Sequence, residues 1–224
     1  MTFSSSLADD LRPLVLDTSV LINLHACTYG ERVLTAIAND IVVPDIVAGE
    51  LEHETSRKNG DHSFLRGLIA RGKVMEAGMT GADYELFATL SGGSPSLDDG
   101  EAATIAIAAR RGFRAVVDER KGRTRAVGLM DGQEPGWSLD LLRHPSVVQS
   151  LGEHLAADAV YLALRDGRMR IPAECGDAVV GLIGRERALE CSCLPNFKNL
   201  SRDAALSAPP QAHAIIRQER IDTE

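Results

Sequence analysis

The stretch Leu14-Val15-Leu16-Asp17-Thr18-Ser19-Val20-Leu21 decides the fold class. Three apolar residues run into a carboxylate, and two residues able to cap a helix follow at once. A short β-rich run stopped by an acid reads as a buried parallel strand with the acid at its carboxyl edge. Thr18 or Ser19 then caps a helix carrying Val20, Leu21 and Leu24. The same phrasing returns in Ala115-Val116-Val117-Asp118, and a related one in Ile41-Val42-Val43-Pro44, where a helix over Asp45 to Glu54 follows. In open parallel sheets ligands bind at that carboxyl edge, which makes Asp17 and Asp118 candidate site residues.

Working outward, the polar and basic segment Thr55–Asp61 reads as a loop, Val74-Met75 as a short strand and residues 81–90 as a helix. Ser91-Gly92-Gly93-Ser94-Pro95-Ser96 is a loop by composition. Asp98 or Asp99 opens the strongest helix of the chain, Glu101 to Arg111, whose alanines favour helix and let it lie close to a sheet. Gly112 stops it. The charged segment Glu119–Arg125 reads as a turn, and Ser138–Leu142 as another strand. Beyond residue 150 the expectations are a helix over Leu155–Leu164, a strand at Met169-Arg170-Ile171 and a helix over Ala178–Leu189. Residues 1–12 read as a loose leader and 201–224 as a polar tail, mobile or partner-dependent. Strands alternating with helices imply an α/β fold, a three-layer α/β/α sandwich with a mostly parallel central sheet.

With 224 residues, 44% of them apolar and 25% charged, the chain has the composition of a soluble globular protein with a full core. Aromatics make up only 4%, so that core rests on Val, Leu, Ile and Ala. A net charge of -8 argues against a broad basic nucleic-acid face, though local patches count for more than the sum. The four cysteines show no zinc-ligand spacing, and Met1 to Asp10 has no apolar signal region. No run is long enough to span a membrane, so the cytoplasm is the expected location.

Two further acids, Glu50 and Glu101, lie on expected helices facing the same edge as Asp17 and Asp118. Together the four suggest a metal site. Taken singly each has a plainer reading: a strand-end cap for Asp17, a solvated helix face for Glu50 within Glu50-Leu51-Glu52-His53-Glu54. His53-Glu54 lacks a second His four residues on, and the other histidines form no ligand pattern. Neither a G-x-S-x-G elbow nor a P-loop is present.

In this order the motifs resemble the PIN-domain family of metal-dependent ribonucleases, which includes the VapC-type toxins. Val15-Leu16-Asp17-Thr18-Ser19-Val20-Leu21-Ile22 is similar to the family's first motif, and Val43-Pro44-Asp45-Ile46-Val47-Ala48-Gly49-Glu50-Leu51 to its second. Leu97-Asp98-Asp99-Gly100-Glu101-Ala102 resembles the L-D-x-G-E-A segment of one branch. Val117-Asp118-Glu119-Arg120-Lys121-Gly122-Arg123 resembles that branch's final acid and basic Gly-Arg turn. The resemblance covers roughly residues 13–130 and leaves the last 60 or so unaccounted for; the expected organisation is a PIN-like nuclease domain over 13–165, an extension over 166–200 packing on it, and the tail over 201–224. The resemblance implies RNA as substrate and Mg²⁺ or Mn²⁺ as cofactor, and it admits an antitoxin protein and a homodimer as partners.

Asp17, Glu50, Glu101 and Asp118 would then be catalytic, with Asp17, Asp118, Glu101 and Asp98 around the metal. Phosphodiester hydrolysis needs an activated water and relief of charge on the phosphoryl oxygens, which divalent ions on carboxylates supply. Thr18 and Ser19 could bond a carboxylate or a phosphate, or cap the helix. Arg120, Lys121 and Arg123, with Arg125 beyond, could grip an RNA backbone or form an ordinary solvated turn. Arg57-Lys58 is a weaker candidate for that grip. The competing functions are a catalytically silent PIN-like module that binds RNA or protein, and phosphoryl transfer of the haloacid-dehalogenase kind. The second wants an Asp two positions after Asp17, where this chain has Ser19.

Overall fold

In the computed structural model, Leu14–Leu16 (β1), Ile41–Pro44 (β2), Met75–Ala77 (β3) and Arg114–Val116 (β4) pair into one sheet. All pairs are parallel, in the spatial order β3-β2-β1-β4. Leu14 stands opposite Ile41 on one side and Arg114 on the other, and Val43 opposite Glu76. The structure describes residues 4–130 and 132–207. Residues 208–224 of the expected tail, the first three residues of the leader and Asp131 lie outside them.

The helices are α1 (Thr18–Ala26), α2 (Gly30–Ala36), α3 (Asp45–Glu50), α4 (Glu54–Asn59), α5 (Asp61–Ala70), α6 (Gly81–Ser91) and α7 (Asp99–Arg111). After β4 come α8 (Arg120–Leu129), α9 (Ser138–Leu142), α10 (Pro145–Leu151), α11 (Glu153–Arg165), α12 (Gly176–Ile183), α13 (Arg185–Ala188) and α14 (Phe197–Ser207).

Alternation along the strands divides the core in two, because successive strand side chains point to opposite faces. Leu14, Leu16, Ile41, Val43 and Val116 face a large apolar cluster built with α1, α2, α5 and α9 to α13. Val15, Val42, Ala115 and Val117 face a smaller one with α6, α7 and α8. Helices thus cover both faces, giving the three-layer α/β/α sandwich. Residues 100–108 of α7 are all buried, and its small alanines allow that depth of packing.

The chain order in this sheet has a consequence for the site. From β1 the chain runs outward through β2 and β3, then returns to place β4 on the other side of β1. In open parallel sheets such a reversal marks where ligands bind, beyond the carboxyl ends of the two strands, and here Asp17 and Asp118 follow those ends.

Several expectations are corrected. Thr55–Asp61 is not a loop but α4 and the start of α5, joined at Gly60. Glu119–Arg125 is not a turn: Arg120 begins α8, and its Ala126, with Met130 just past its end, joins the smaller core cluster. Ser138–Leu142 is the helix α9 because the Asp140 carboxylate accepts the backbone N–H of Trp137 at 2.8 Å and closes a helical turn. Met169-Arg170-Ile171 forms no strand, although Met169 and Ile171 are buried. Gly184 breaks the expected helix over Ala178–Leu189 into α12 and α13.

The leader is not loose over its described part. Leu7 is fully buried, and the Ser5 hydroxyl and Ser6 N–H both bond Asp140. A Cβ at Gly136 would stand 3.0 Å from a Leu7 methyl, so this segment closes the sheet's flank. Leu7→Ala is therefore expected to cost about 2–5 kcal/mol, as buried Leu truncations do. A denaturant midpoint equal to that of the parent chain would show that residues 4–10 contribute nothing to the fold.

Candidate active site

Each acid is held by the element it terminates or begins. Asp17 follows β1 and is the N-cap of α1, its Oδ2 accepting the Ser19 backbone N–H and, at 2.7 Å, the Ser19 hydroxyl. The capping residue is thus Asp17 itself, and Ser19 serves it. Asp98 is the N-cap of α7, accepting the Glu101 N–H at 2.8 Å. Glu50 ends α3 and reaches the start of α7, where its Oε1 accepts the Gly100 N–H at 2.8 Å and its Oε2 the Thr18 hydroxyl. A carboxylate is well placed at that positive helix end. A Cβ at Gly100 would collide with it, so only glycine admits this contact.

Asp118 is the most completely satisfied of the set. Ser138 donates to it twice, by N–H at 2.8 Å and by hydroxyl at 2.6 Å, and the Asn23 amide donates at 2.7 Å. Glu101 is the opposite case. It is 2% exposed, and its Oε1 has no hydrogen-bond partner. The carboxylate lies against Gly122 of α8, where any Cβ would overlap it.

The electrostatics follow from this geometry. Burial pushes Glu101 up to about 8, the negative charges of Asp98, Asp17 and Glu119 add to the rise, and the backbone of Gly122 opposes it. Burial likewise raises Asp17 to about 7, with Asp98 adding and the Ser19 hydrogen bond opposing. Asp118 is pushed up to about 6 by burial, opposed by Ser138, Arg123 and Asn23. Asp17, Asp98 and Glu101 therefore share one field. Among the described residues no three acidic, histidine or cysteine side chains already stand as a ligating group. The donor set is nonetheless all carboxylate oxygen, as Mg²⁺ and Mn²⁺ prefer, and the orphaned Glu101 oxygen has a use for a cation.

The other expected site residues separate. Arg120 and Lys121 are exposed on the first turn of α8. Arg123 is not at the surface. It is 7% exposed, donates to the carbonyls of Val117 and Gly136 at 3.0 and 2.8 Å, and stacks 3.8 Å from the Trp137 ring centroid. These bonds tie β4 to the Gly136 segment, and a guanidinium spent on two carbonyls is not a free phosphate grip. Thr18 and Ser19 likewise spend their hydroxyls on Glu50 and Asp17.

A family model described as a PIN domain matches residues 13–129. The chain belongs to the PIN-domain family. The matched span holds Asp17, Glu50, Asp98, Glu101 and Asp118, while Ser138, which anchors Asp118, lies beyond it. PIN domains are generally nucleases, typically use divalent metals and generally bind RNA. Searches of curated proteins and of solved structures gave no match. Among the described residues no helix is long and apolar enough to cross a membrane.

Sequence reasoning missed Asn23, Ser138, Gly122 and Glu119. Asn23 did carry a signal: it is a polar residue inside the apolar run Val20 to Leu24, and it is 2% exposed. Such a group is retained inside only when it has a partner, here Asp118. Ser138 could not have been found, because its role depends on α9 and not on a strand.

Proposed function

We propose that this PIN domain is a divalent-metal-dependent ribonuclease that hydrolyses RNA phosphodiester bonds, and that it serves as the toxin of a toxin–antitoxin pair. The observation that carries the nuclease reading is the buried, hydrogen-bond-deficient carboxylate of Glu101 facing the charges of Asp17 and Asp98 at the sheet's carboxyl edge. Like charges gathered in a low-dielectric site are costly unless a cation balances them. Asp17, Asp98 and Glu101 would hold the ion, with Asp118 beside them on the neighbouring strand. The bound ion would lower the pKa of a water and draw charge from the phosphoryl oxygens.

The chain's own residues supply the rest. Glu50 fixes Thr18 and the start of α7 and so sets the spacing between Asp17 and Glu101. Asn23 and Ser138 hold Asp118 in one orientation. Arg120 and Lys121, exposed directly after the Asp118-Glu119 pair, would take phosphates of the RNA on either side of the cleaved bond. The toxin role rests on the resemblance to VapC-type proteins, and an antitoxin and a homodimer belong to that same reading.

The test is hydrolysis of structured and single-stranded RNA by the purified chain. Cleavage with Mg²⁺ or Mn²⁺ that disappears in EDTA and returns on adding excess Mn²⁺ is expected. Cleavage persisting after complete metal removal would overturn the mechanism. Binding of RNA with no cleavage under any metal would favour the silent module.

A further inference from the structure

Beyond β4, Gly136 makes a parallel bridge with Val116, and its carbonyl accepts the Val117 N–H at 3.0 Å. Trp137 therefore emerges at the same carboxyl edge as Asp17 and Asp118, and its neighbour Ser138 is the anchor of Asp118. A cavity of about 380 Å³ opens there, lined by Trp137, Arg123, Glu134, Pro172, Glu174 and Cys175 among others. A second hollow of about 230 Å³ adjoins it through Trp137, Arg123, Glu134 and Glu174, and is bordered by Arg120. Volumes of this order suit a small planar ligand.

The lining has two features that select an occupant. Trp137 and Arg123 lie stacked, and each is a flat surface of the kind on which nucleobases stack. The rim is acidic. Glu134 lies 3.7 Å from Arg123 and is 77% exposed at its side chain. Glu174 is exposed and makes no hydrogen bond or ion pair among the described residues. Asp140 already accepts the N–H groups of Ser6 and Trp137. Such a rim repels a phosphate but accepts hydrogen bonds from a base. Guanine alone among the RNA bases puts an adjacent ring N–H and amino group on its Watson–Crick edge, which match the two oxygens of one carboxylate.

We propose that the Trp137–Arg123 cavity binds one base of the RNA substrate and prefers guanine, with Glu174 reading its Watson–Crick edge. This rests on the nuclease reading above and adds to it a base preference beside the cleaved bond. It also explains Arg123: the guanidinium belongs to the base platform and to the β4 flank, not to phosphate binding.

Trp137 is the only tryptophan of the chain, so its fluorescence reports this cavity alone. The full chain in EDTA is titrated with GMP, AMP, CMP, UMP, ribose 5-phosphate and free arginine. Saturable quenching by GMP is expected at concentrations about tenfold or more below those needed for the other nucleotides, as a good two-point base contact gives. Glu174→Ala, an exposed substitution that leaves the fold alone, should erase that preference. Equal response to ribose 5-phosphate or to arginine would mark an anion or cation pocket and overturn the proposal. So would cleavage of RNA by a chain whose fluorescence ignores GMP. Quenching by GMP in a preparation that cleaves nothing would uphold the base site and overturn the nuclease reading instead.

Discussion

Glu101→Gln is expected to lower the rate of RNA hydrolysis on the order of a thousandfold while leaving RNA binding nearly unchanged. The substitution keeps the volume of a side chain packed against Gly122 and removes only its charge. If Glu101 were a structural residue, Gln would be the better choice, since its neutral amide relieves the repulsion from Asp98 and Asp17. Stability and activity should therefore move in opposite directions: the metal-free variant gains stability and loses turnover. Asp17→Asn should behave the same way. Ser138→Ala removes one donor from Asp118 and leaves the carboxylate in place, so its loss should be smaller, about 10- to 100-fold, the range found for residues that orient metal ligands. The measurement is single-turnover cleavage at saturating Mn²⁺. A Glu101→Gln protein that cuts at the parent rate would remove Glu101 from the site.

The contrast between Glu101 and Asp118 shows what could be read in the chain beforehand. The strand-end acids, the alanine-rich helix and the order of elements through β4 are local patterns, and period and composition carry them. Which acid lacks a partner is not local. It depends on Gly122 pressing on Glu101 from α8, and on Ser138 coming back beside Asp118 after some twenty residues of intervening chain. The misread elements fail for the same reason. Arg120-Lys121-Gly122-Arg123 looks like a solvated turn because its charge and glycine are visible, whereas the burial of Arg123 under Trp137 is not. Ser138-Leu139-Asp140-Leu141-Leu142 alternates like a strand until Asp140 bonds back to Trp137. Met169 and Ile171 alternate with Arg170 and are buried as a strand would require, but no strand lies beside them. The C-terminal segment adds Met169, Val179, Ile183 and Leu194 to the same apolar cluster as β1 and α1.

The second large effect is a coupling of metal, pH and stability. In the folded, metal-free chain Asp17 and Glu101 keep their protons up to about 7 and about 8. In the unfolded chain they lose them near pH 4. Between those limits the native state binds more protons than the unfolded state, so its stability must fall as pH rises. The acids' contribution is fully present below about pH 4 and gone above about pH 8. A cation that binds the native carboxylates displaces those protons, which makes its affinity grow through the same window. At free Mn²⁺ about a hundred times its dissociation constant, linkage adds about 2.7 kcal/mol. For a chain of this size that is a rise of roughly 5–10 °C in melting temperature. The rise should be small at pH 5 and largest near pH 8. Asp17→Asn should melt at or above the parent without metal at pH 8 and show little further rise with it. Glu186→Gln, at an exposed position of α13, is the control and should keep the full response. Melting curves of the parent and both variants, with and without Mn²⁺ at the two pH values, decide the matter. An Asp17→Asn protein that responds to Mn²⁺ as strongly as Glu186→Gln would reduce Asp17 to the N-cap of α1, and with it the case for a cation at this edge of the sheet.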